Sequence, residues 1–308
     1  MTSFLAFTVF GVDWLFLKPY IVIGLALGGV YALSGVGLVV LYRATGVLNL
    51  AFGAIGAAGA LIAYYLLNHT GCPEWLAFST CVAFGGVVNL LYGMVFGPAF
   101  ARRDPLVKMM GTLGLALILL GLMAWRAPAG GAFARFLPLP STEHHYVILK
   151  TTVNLTQVIS IGLALAITAA VSVFLRVTKL GTAMRALAND REITATLGVP
   201  VRRVEAAAWL GSGLVSGASG LLLSNLVGLD AATLTFLVIS SLAATLIGRL
   251  RSITVTFIAG IVIGLVNALV TPIVSISQYR DMTPFVLATI ALLVLSGRRG
   301  SALAGRAG

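Results

Sequence analysis

Few side chains in this sequence have both the type and the spacing that catalysis requires. A phosphate-binding GxxxxGK[ST] loop needs a lysine after its last glycine, and the four lysines stand in other contexts: Lys18, Lys108, Lys150 and Lys179. The sequence has no HExxH zinc motif and no GxSxG nucleophile turn. We therefore expect that the chain is not an enzyme and that it does not hydrolyse nucleotides itself.

The residues that could bind metal or form disulfides are equally sparse. His144 and His145 are adjacent, which points their side chains in different directions on most backbones, and Cys72 and Cys81 have no grouped His or Cys at ligand spacing. The sequence predicts no metal site and no disulfide scaffold.

The composition is that of a membrane protein. Of the 308 residues, 59% are hydrophobic and 9% are charged, whereas a soluble domain carries about 25% charged residues. The net charge of +11 would suggest a nucleic-acid partner in a soluble chain. Among long apolar runs, the basic residues are better explained as anchors of membrane helices.

The apolar runs predict an all-α polytopic membrane protein with about nine membrane helices, in a range of eight to ten. A helix needs about 20 mostly apolar residues to cross a bilayer. The segment that starts near 47 is either re-entrant or fully spanning. The predicted windows are 20–41, 47–67, 76–99, 107–125, 153–175, 206–227, 231–248, 253–272 and 282–297.

The distribution of basic residues predicts the orientation of these helices. If the loop 176–205 is cytoplasmic, alternation across nine helices places 15 of the 20 Lys and Arg residues inside, as the positive-inside rule expects. The N-terminus is then outside and the C-terminus cytoplasmic. We expect an interfacial segment at 1–19, a permease domain at 20–297 and a cytoplasmic tail at 298–308.

Two predicted loops are long. The outer loop 126–152 is rich in Pro and Gly, which favours irregular structure. The inner loop 176–205 predicts a short amphipathic helix over 181–198, stopped by Gly198 and Pro200, with apolar residues Met184, Leu187, Ile193 and Leu197. Such a helix either docks a soluble partner or rests on the membrane surface, and the residues alone leave both alternatives open.

Within the windows the polar residues are almost all neutral, which disfavours a proton-driven carrier. Each of them either joins helices by a hydrogen bond or lines a substrate path. This group includes Asn49, Asn89, Asn154, Gln157, Asn225 and Asn267.

Two segments resemble LivH-type permeases of branched-chain amino-acid ABC importers, and the likeness covers most of 20–300. In the first, Tyr31-Ala32-Leu33 and Arg43 precede Asn49-Leu50-Ala51-Phe52-Gly53, with Phe52 where the family usually has His. The second is the cytoplasmic segment, which contains Gly181, Met184, Arg185, Asp190, Glu192 and Gly198.

The resemblance implies a multi-pass subunit of the bacterial inner membrane. Its partners would be a homologous LivM-like permease, two ATPase subunits that bind ATP and Mg, and an extracytoplasmic solute-binding protein, so this chain itself needs no cofactor. No nucleic-acid partner is expected.

The resemblance also assigns roles to residues. Met184, Leu187 and nearby apolar residues would form the hydrophobic dock for the ATPase. Arg185, Asp190 and Glu192 would orient it by charge pairing, and Gly198 would end the coupling helix. The candidates for the translocation pathway are Asn49, Phe52, Asn89 and Asn267.

The alternative function is a stand-alone channel for a small neutral solute such as urea or an amide. The sequence does not choose among branched-chain amino acids, other amino acids, amides and urea.

Overall fold

The computed structural model describes residues 8–9, 12–100, 103–126, 145–148, 151–236, 238–273 and 277–304. Most of the predicted outer loop 126–152, part of the segment 1–19 and the last four residues of the tail lie outside these ranges. The residues that are described form a helical bundle with two short antiparallel β-hairpins. These pair β1 (Thr8–Val9) with β2 (Val12–Asp13), and β3 (His145–Ile148) with β4 (Thr151–Asn154).

Seven helices in the described part of the chain are long and apolar enough to cross a membrane. Each corresponds to one predicted window. They are α1 (Trp14–Thr45), α2 (Phe52–Thr70), α3 (Glu74–Phe100), α4 (Pro105–Arg126), α5 (Leu155–Val177), α8 (Val201–Val227) and α11 (Ile253–Val270).

The remaining helices are shorter or less apolar. Two of them, α6 (Lys179–Asn189) and α7 (Arg191–Thr196), lie between α5 and α8. The predicted window 231–248 is divided into α9 (Ala231–Phe236) and α10 (Val238–Ile247), and a 3₁₀ turn at Ser277–Met282 precedes α12 (Thr283–Ala304). The helical class is therefore confirmed, and the number of nine membrane helices is not.

The helix α1 lies at the centre of the bundle. It begins at Trp14, so the last six residues of the predicted N-terminal segment belong to it. Within its most apolar stretch 78% of the residues are buried, because α1 packs against α5, α8, α10 and α11. Helices α4 and α5 bury few of their residues, 17% and 22% of their most apolar stretches, as expected at a lipid or subunit boundary.

Small residues allow the central helices to meet backbone to backbone. A Cβ added at Gly264 of α11 would overlap the backbone of Gly28 in α1, and one added at Gly220 of α8 would overlap Gly56 in α2. The same holds for Gly213 of α8 against Gly85 in α3. These close contacts between glycines join α1 to α11, α2 to α8 and α3 to α8.

We expect that Gly264→Ala lowers the thermal midpoint of the purified chain in detergent micelles. The added methyl group would force α11 away from α1, and overpacking of this kind costs about 1–3 kcal/mol. Gly162→Ala on α5 is the matched control, because among the described residues no atom outside its own helix backbone and chain neighbours lies within 4 Å of its added Cβ. Equal midpoints for the two variants would contradict the close packing of α1 on α11.

Candidate coupling segment and polar interior

The segment predicted as one amphipathic helix over 181–198 consists of two helices. At Asp190 the backbone is extended, with φ −152°, and the carboxylate accepts a hydrogen bond of 3.0 Å from the amide of Ile193. An Asp that binds the backbone in this way starts a new helix instead of continuing the old one. The prediction of one helix was therefore wrong, and Asp190 caps the N-terminus of α7.

Gly198 ends the segment, as predicted. Its φ is +81°, and its amide donates a hydrogen bond of 3.1 Å to the carbonyl oxygen of Ala195. Glycine adopts this left-handed conformation without steric cost. The helix stop is confirmed, whereas a role of Gly198 in coupling stays a prediction.

Met184 and Leu187 point into the bundle. They are 3% and 6% exposed. They belong to a core cluster that also contains Val36, Val40, Leu41, Ala44, Leu175, Val204 and Trp209. This corrects the prediction that the two residues form a hydrophobic docking surface, because α6 uses its apolar face to attach to its own chain.

The exposed apolar residues of the segment lie in and just after α7. Ile193 is 60% exposed and Leu197 is 77% exposed, and they are four residues apart, so they lie on nearly the same side of this short segment. Both belong to the apolar stripe predicted from the sequence, but neither is among the residues named there for ATPase coupling. The sequence signal that separates them from Met184 and Leu187 is the capping Asp190, which ends α6 and starts a separate helix.

The predicted charged residues differ in their surroundings. Arg185 is half-buried, and its Nη2 donates hydrogen bonds to the carbonyl oxygen of Arg176 at 3.4 Å and to Oγ1 of Thr182 at 3.2 Å. Glu192 is exposed in the first turn of α7. Glu192 is thus better placed than Arg185 to meet a partner.

Arginines from loops that are distant in sequence meet beside α7. A pocket of about 550 Å³ on one side is lined by Arg43, Arg191, Arg249 and Arg251. A groove of about 1000 Å³ on the other side is lined by Arg103, Arg191, Arg202 and Arg203. In the sequence these arginines are charges of separate loops, and the pattern along the chain does not predict the two concave sites.

Asn49 and Asn89 form a hydrogen-bonded hub in the interior. The Nδ2 of Asn49 donates to Oδ1 of Asn89 at 2.9 Å, and the Nδ2 of Asn89 donates to the carbonyl oxygen of Trp209 at 2.8 Å. The Oδ1 of Asn49 accepts a hydrogen bond of 3.0 Å from the amide of Ala51. Asn49 and Asn89 are 1% and 0% exposed, so they connect the start of α2 to α3 and α8.

Phe52 is buried beside the hub. Its carbonyl oxygen accepts a hydrogen bond of 2.6 Å from Oγ of Ser216 in α8. Its side chain borders an internal cavity of about 20 Å³, which is also lined by Tyr31, Ser34, Ser219 and Ser241. A cavity of this size holds about one water molecule, so it does not admit an amino acid in this conformation.

Asn267 lies far from the other three pathway candidates. Gly24 of α1 packs against Ala268, whereas Gly37 of the same helix packs against Phe52. These two glycines are separated by about 20 Å along α1, at 1.5 Å per residue. The Nδ2 of Asn267 donates to the carbonyl oxygen of Arg280 at 3.2 Å. The structure therefore brings together Asn49, Phe52 and Asn89, but not Asn267.

Comparison with known proteins identifies the family. The model of the branched-chain amino acid transport system / permease component family matches residues 20–295. The chain belongs to this family.

Three relatives illustrate the extent of the similarity. The probable branched-chain amino acid transport permease protein LivH of Methanocaldococcus jannaschii is 28% identical and covers 78% of this chain and 76% of its own length. LivH of Salmonella typhimurium is 25% identical, covering 88% of this chain and 91% of its own. BraD of Pseudomonas aeruginosa is 21% identical, with the same two coverages. The resemblance to LivH-type permeases is thus confirmed.

Membership of this family, together with the seven long apolar helices, makes the chain a multi-pass membrane permease. It is a transport protein and not an enzyme, because its relatives are transport permease proteins.

We expect that Asn89→Ala destabilises this permease by about 1–3 kcal/mol, because it leaves the buried amide of Asn49 without its acceptor. The thermal midpoint in detergent should fall, and Asn68→Ala should change it little. Asn68 is exposed, and its Nδ2 donates a hydrogen bond of 2.9 Å to the carbonyl oxygen of Tyr64 in the same helix. A wild-type midpoint combined with lost uptake would instead assign Asn89 to the pathway.

Proposed function

We propose that this permease is a transmembrane subunit of an ABC importer. A homologous LivM-like permease would complete the translocation pathway, and two separate ATPase subunits, which bind ATP and Mg, would drive it. The observation that carries this proposal is the exposed apolar pair Ile193 and Leu197 on a short, capped segment at the arginine-rich end of the bundle. A soluble ATPase needs such a surface, whereas a simple connector does not.

The proposed coupling mechanism uses the way the segment is attached. α7 would insert into the ATPase through Ile193 and Leu197, with Glu192 contributing charge pairing. α6 is fixed to the bundle by Met184 and Leu187, and Arg191 at the start of α7 forms an ion pair of 2.8 Å with Glu205 of α8. A displacement of α7 would therefore reach α1 and α8 without passing through a flexible linker.

The arrangement of the arginines supports the orientation predicted from the sequence. The loops at 42–46, 100–106, 176–205 and 249–252 all contribute to the two concave basic sites beside α7, and basic residues favour the cytoplasmic side. We place this end of the bundle in the cytoplasm, with the N-terminus outside and the C-terminus inside. The membrane would be the bacterial inner membrane.

The same contacts support a crossing by α9 and α10 together. α8 carries the chain away from the arginine-rich end, yet Arg249 and Arg251, which follow α10, line the pocket that contains Arg43. The chain therefore returns between 228 and 248. With α11 leading outward and α12 inward, the proposed topology has nine crossings, one of them interrupted.

The proposed cargo is a branched-chain amino acid, because the relatives are named as branched-chain amino acid permeases. The small cavity beside Phe52 supports a pathway that forms between two permease subunits or opens only during the cycle. An extracytoplasmic binding protein would deliver the solute and set most of the specificity.

The docking surface is tested by Ile193→Ser/Leu197→Ser. We expect this variant to lose co-purification of the ATPase subunits and ATP-driven uptake in cells, because the exposed apolar contact area is removed. Val173→Ser/Val177→Ser on α5 is the control, with the same spacing and exposures of 59% and 78%, against 60% and 77% for Ile193 and Leu197. Retention of the ATPase subunits by the Ile193/Leu197 variant would contradict the proposed surface.

The importer function is tested by reconstitution into vesicles. Vesicles that contain both permeases, the ATPase subunits and the binding protein should accumulate leucine only when ATP and Mg are supplied on the ATPase side. Vesicles that contain this chain alone should show no flux of leucine, urea or acetamide. Rapid downhill flux of any of these through the chain alone would favour a stand-alone channel.

A further inference from the structure

A second site lies at the cytoplasmic end of α3, in the groove between α3 and the start of α8. Its volume is about 1000 Å³, and four arginines line it: Arg103, Arg191, Arg202 and Arg203. All four are exposed. The groove also contains one carboxylate, Glu205, which pairs with Arg191 at 2.8 Å. The site therefore keeps an excess of three positive charges and suits an anionic ligand.

The groove continues into an exposed apolar stripe on α3. Val87, Leu91, Met94 and Val95 are 51%, 55%, 59% and 65% exposed. Their spacing of four, three and one residues places them on one side of the helix. Met94 lines the groove together with Pro98, one turn further along. An anion bound by the arginines would thus be adjacent to an apolar surface that runs along a membrane helix.

The combination of an arginine-lined groove with an adjacent apolar stripe distinguishes a lipid from other anionic ligands. Guanidinium groups bind phosphate oxygens by paired hydrogen bonds, and basic pockets between membrane helices on the cytoplasmic side suit anionic headgroups. A free phosphate ion would leave the stripe unused. An acidic peptide would need polar contacts along α3, where the four exposed side chains are apolar.

We propose that this groove binds the headgroup of an anionic phospholipid from the cytoplasmic leaflet, with the acyl chains along the stripe on α3. Arg202 and Arg203 contact the phosphate, and Arg103 contributes from the connection between α3 and α4. Because Arg191 begins α7, the bound lipid lies next to the coupling segment. The proposal needs only a membrane-spanning bundle in the proposed orientation and does not depend on the ABC assignment.

The test is a titration of the purified permease with dioleoyl-phosphatidylglycerol, followed by native mass spectrometry, with dioleoyl-phosphatidylcholine as the zwitterionic probe. We expect Arg202→Gln/Arg203→Gln to raise the Kd for phosphatidylglycerol by about tenfold to thirtyfold and to leave phosphatidylcholine binding unchanged. Arg176→Gln/Lys179→Gln removes the same charge from exposed positions outside the groove, and it should change neither Kd by more than about twofold.

Four results would overturn the proposal. The first two are an unchanged Kd for phosphatidylglycerol in the Arg202/Arg203 variant and an equally weakened affinity in the Arg176/Lys179 control. The third is thermal stabilisation of the permease by inorganic phosphate as large as that by phosphatidylglycerol. The fourth is release of bound phosphatidylglycerol whenever the ATPase subunits bind. The last result would assign the groove to the protein partner. If the double variant does not fold, Arg103→Gln is measured by the same criteria. Failure of ATP-driven transport would leave all of these readouts intact.

Discussion

The structure depends on the backbone contact of glycines between helices. Within a lipid bilayer the hydrophobic effect does not drive helices together. Their association therefore relies on van der Waals contact and on hydrogen bonds between helices. Gly28 meets Gly264, Gly56 meets Gly220 and Gly85 meets Gly213. These contacts surround α1 with other helices and bring α2, α3 and α8 close enough for the hydrogen bonds of Asn49, Asn89 and Ser216.

The position of the proposed coupling segment follows from this packing. Because α1 is held on several sides, its last turns present Val36, Val40 and Ala44 as a fixed apolar surface, and α6 covers that surface with Met184 and Leu187. α6 is therefore part of the bundle, and α7 is the part that extends from it. The ion pair of Arg191 with Glu205 ties α7 to α8 as well. Force applied at α7 has two direct routes into the membrane helices.

The polar interior has a structural function in this conformation. Asn49 and Asn89 use their side-chain amides on each other and on backbone groups, and Ser216 bonds to the backbone of Phe52. The predicted pathway residues Asn49, Phe52 and Asn89 therefore hold helices together beside a cavity the size of one water molecule, of about 20 Å³. Passage of an amino acid through this cavity would require a rearrangement of these contacts.

The membrane class, the seven long helices among the nine predicted windows, the family likeness and the stop at Gly198 were predictable from the residues alone. Hydropathy and helix termination are local, since they are set within one turn or one helix. Helix packing, in contrast, buries Met184 and Leu187 and leaves Ile193 and Leu197 exposed. It also decided that Asn49 pairs with Asn89, 40 residues away, and that Asn89 bonds to Trp209, 120 residues away. The grooves lined by arginines of separate loops have the same origin, because contacts between distant residues are fixed by how helices pack and not by the pattern along any one of them.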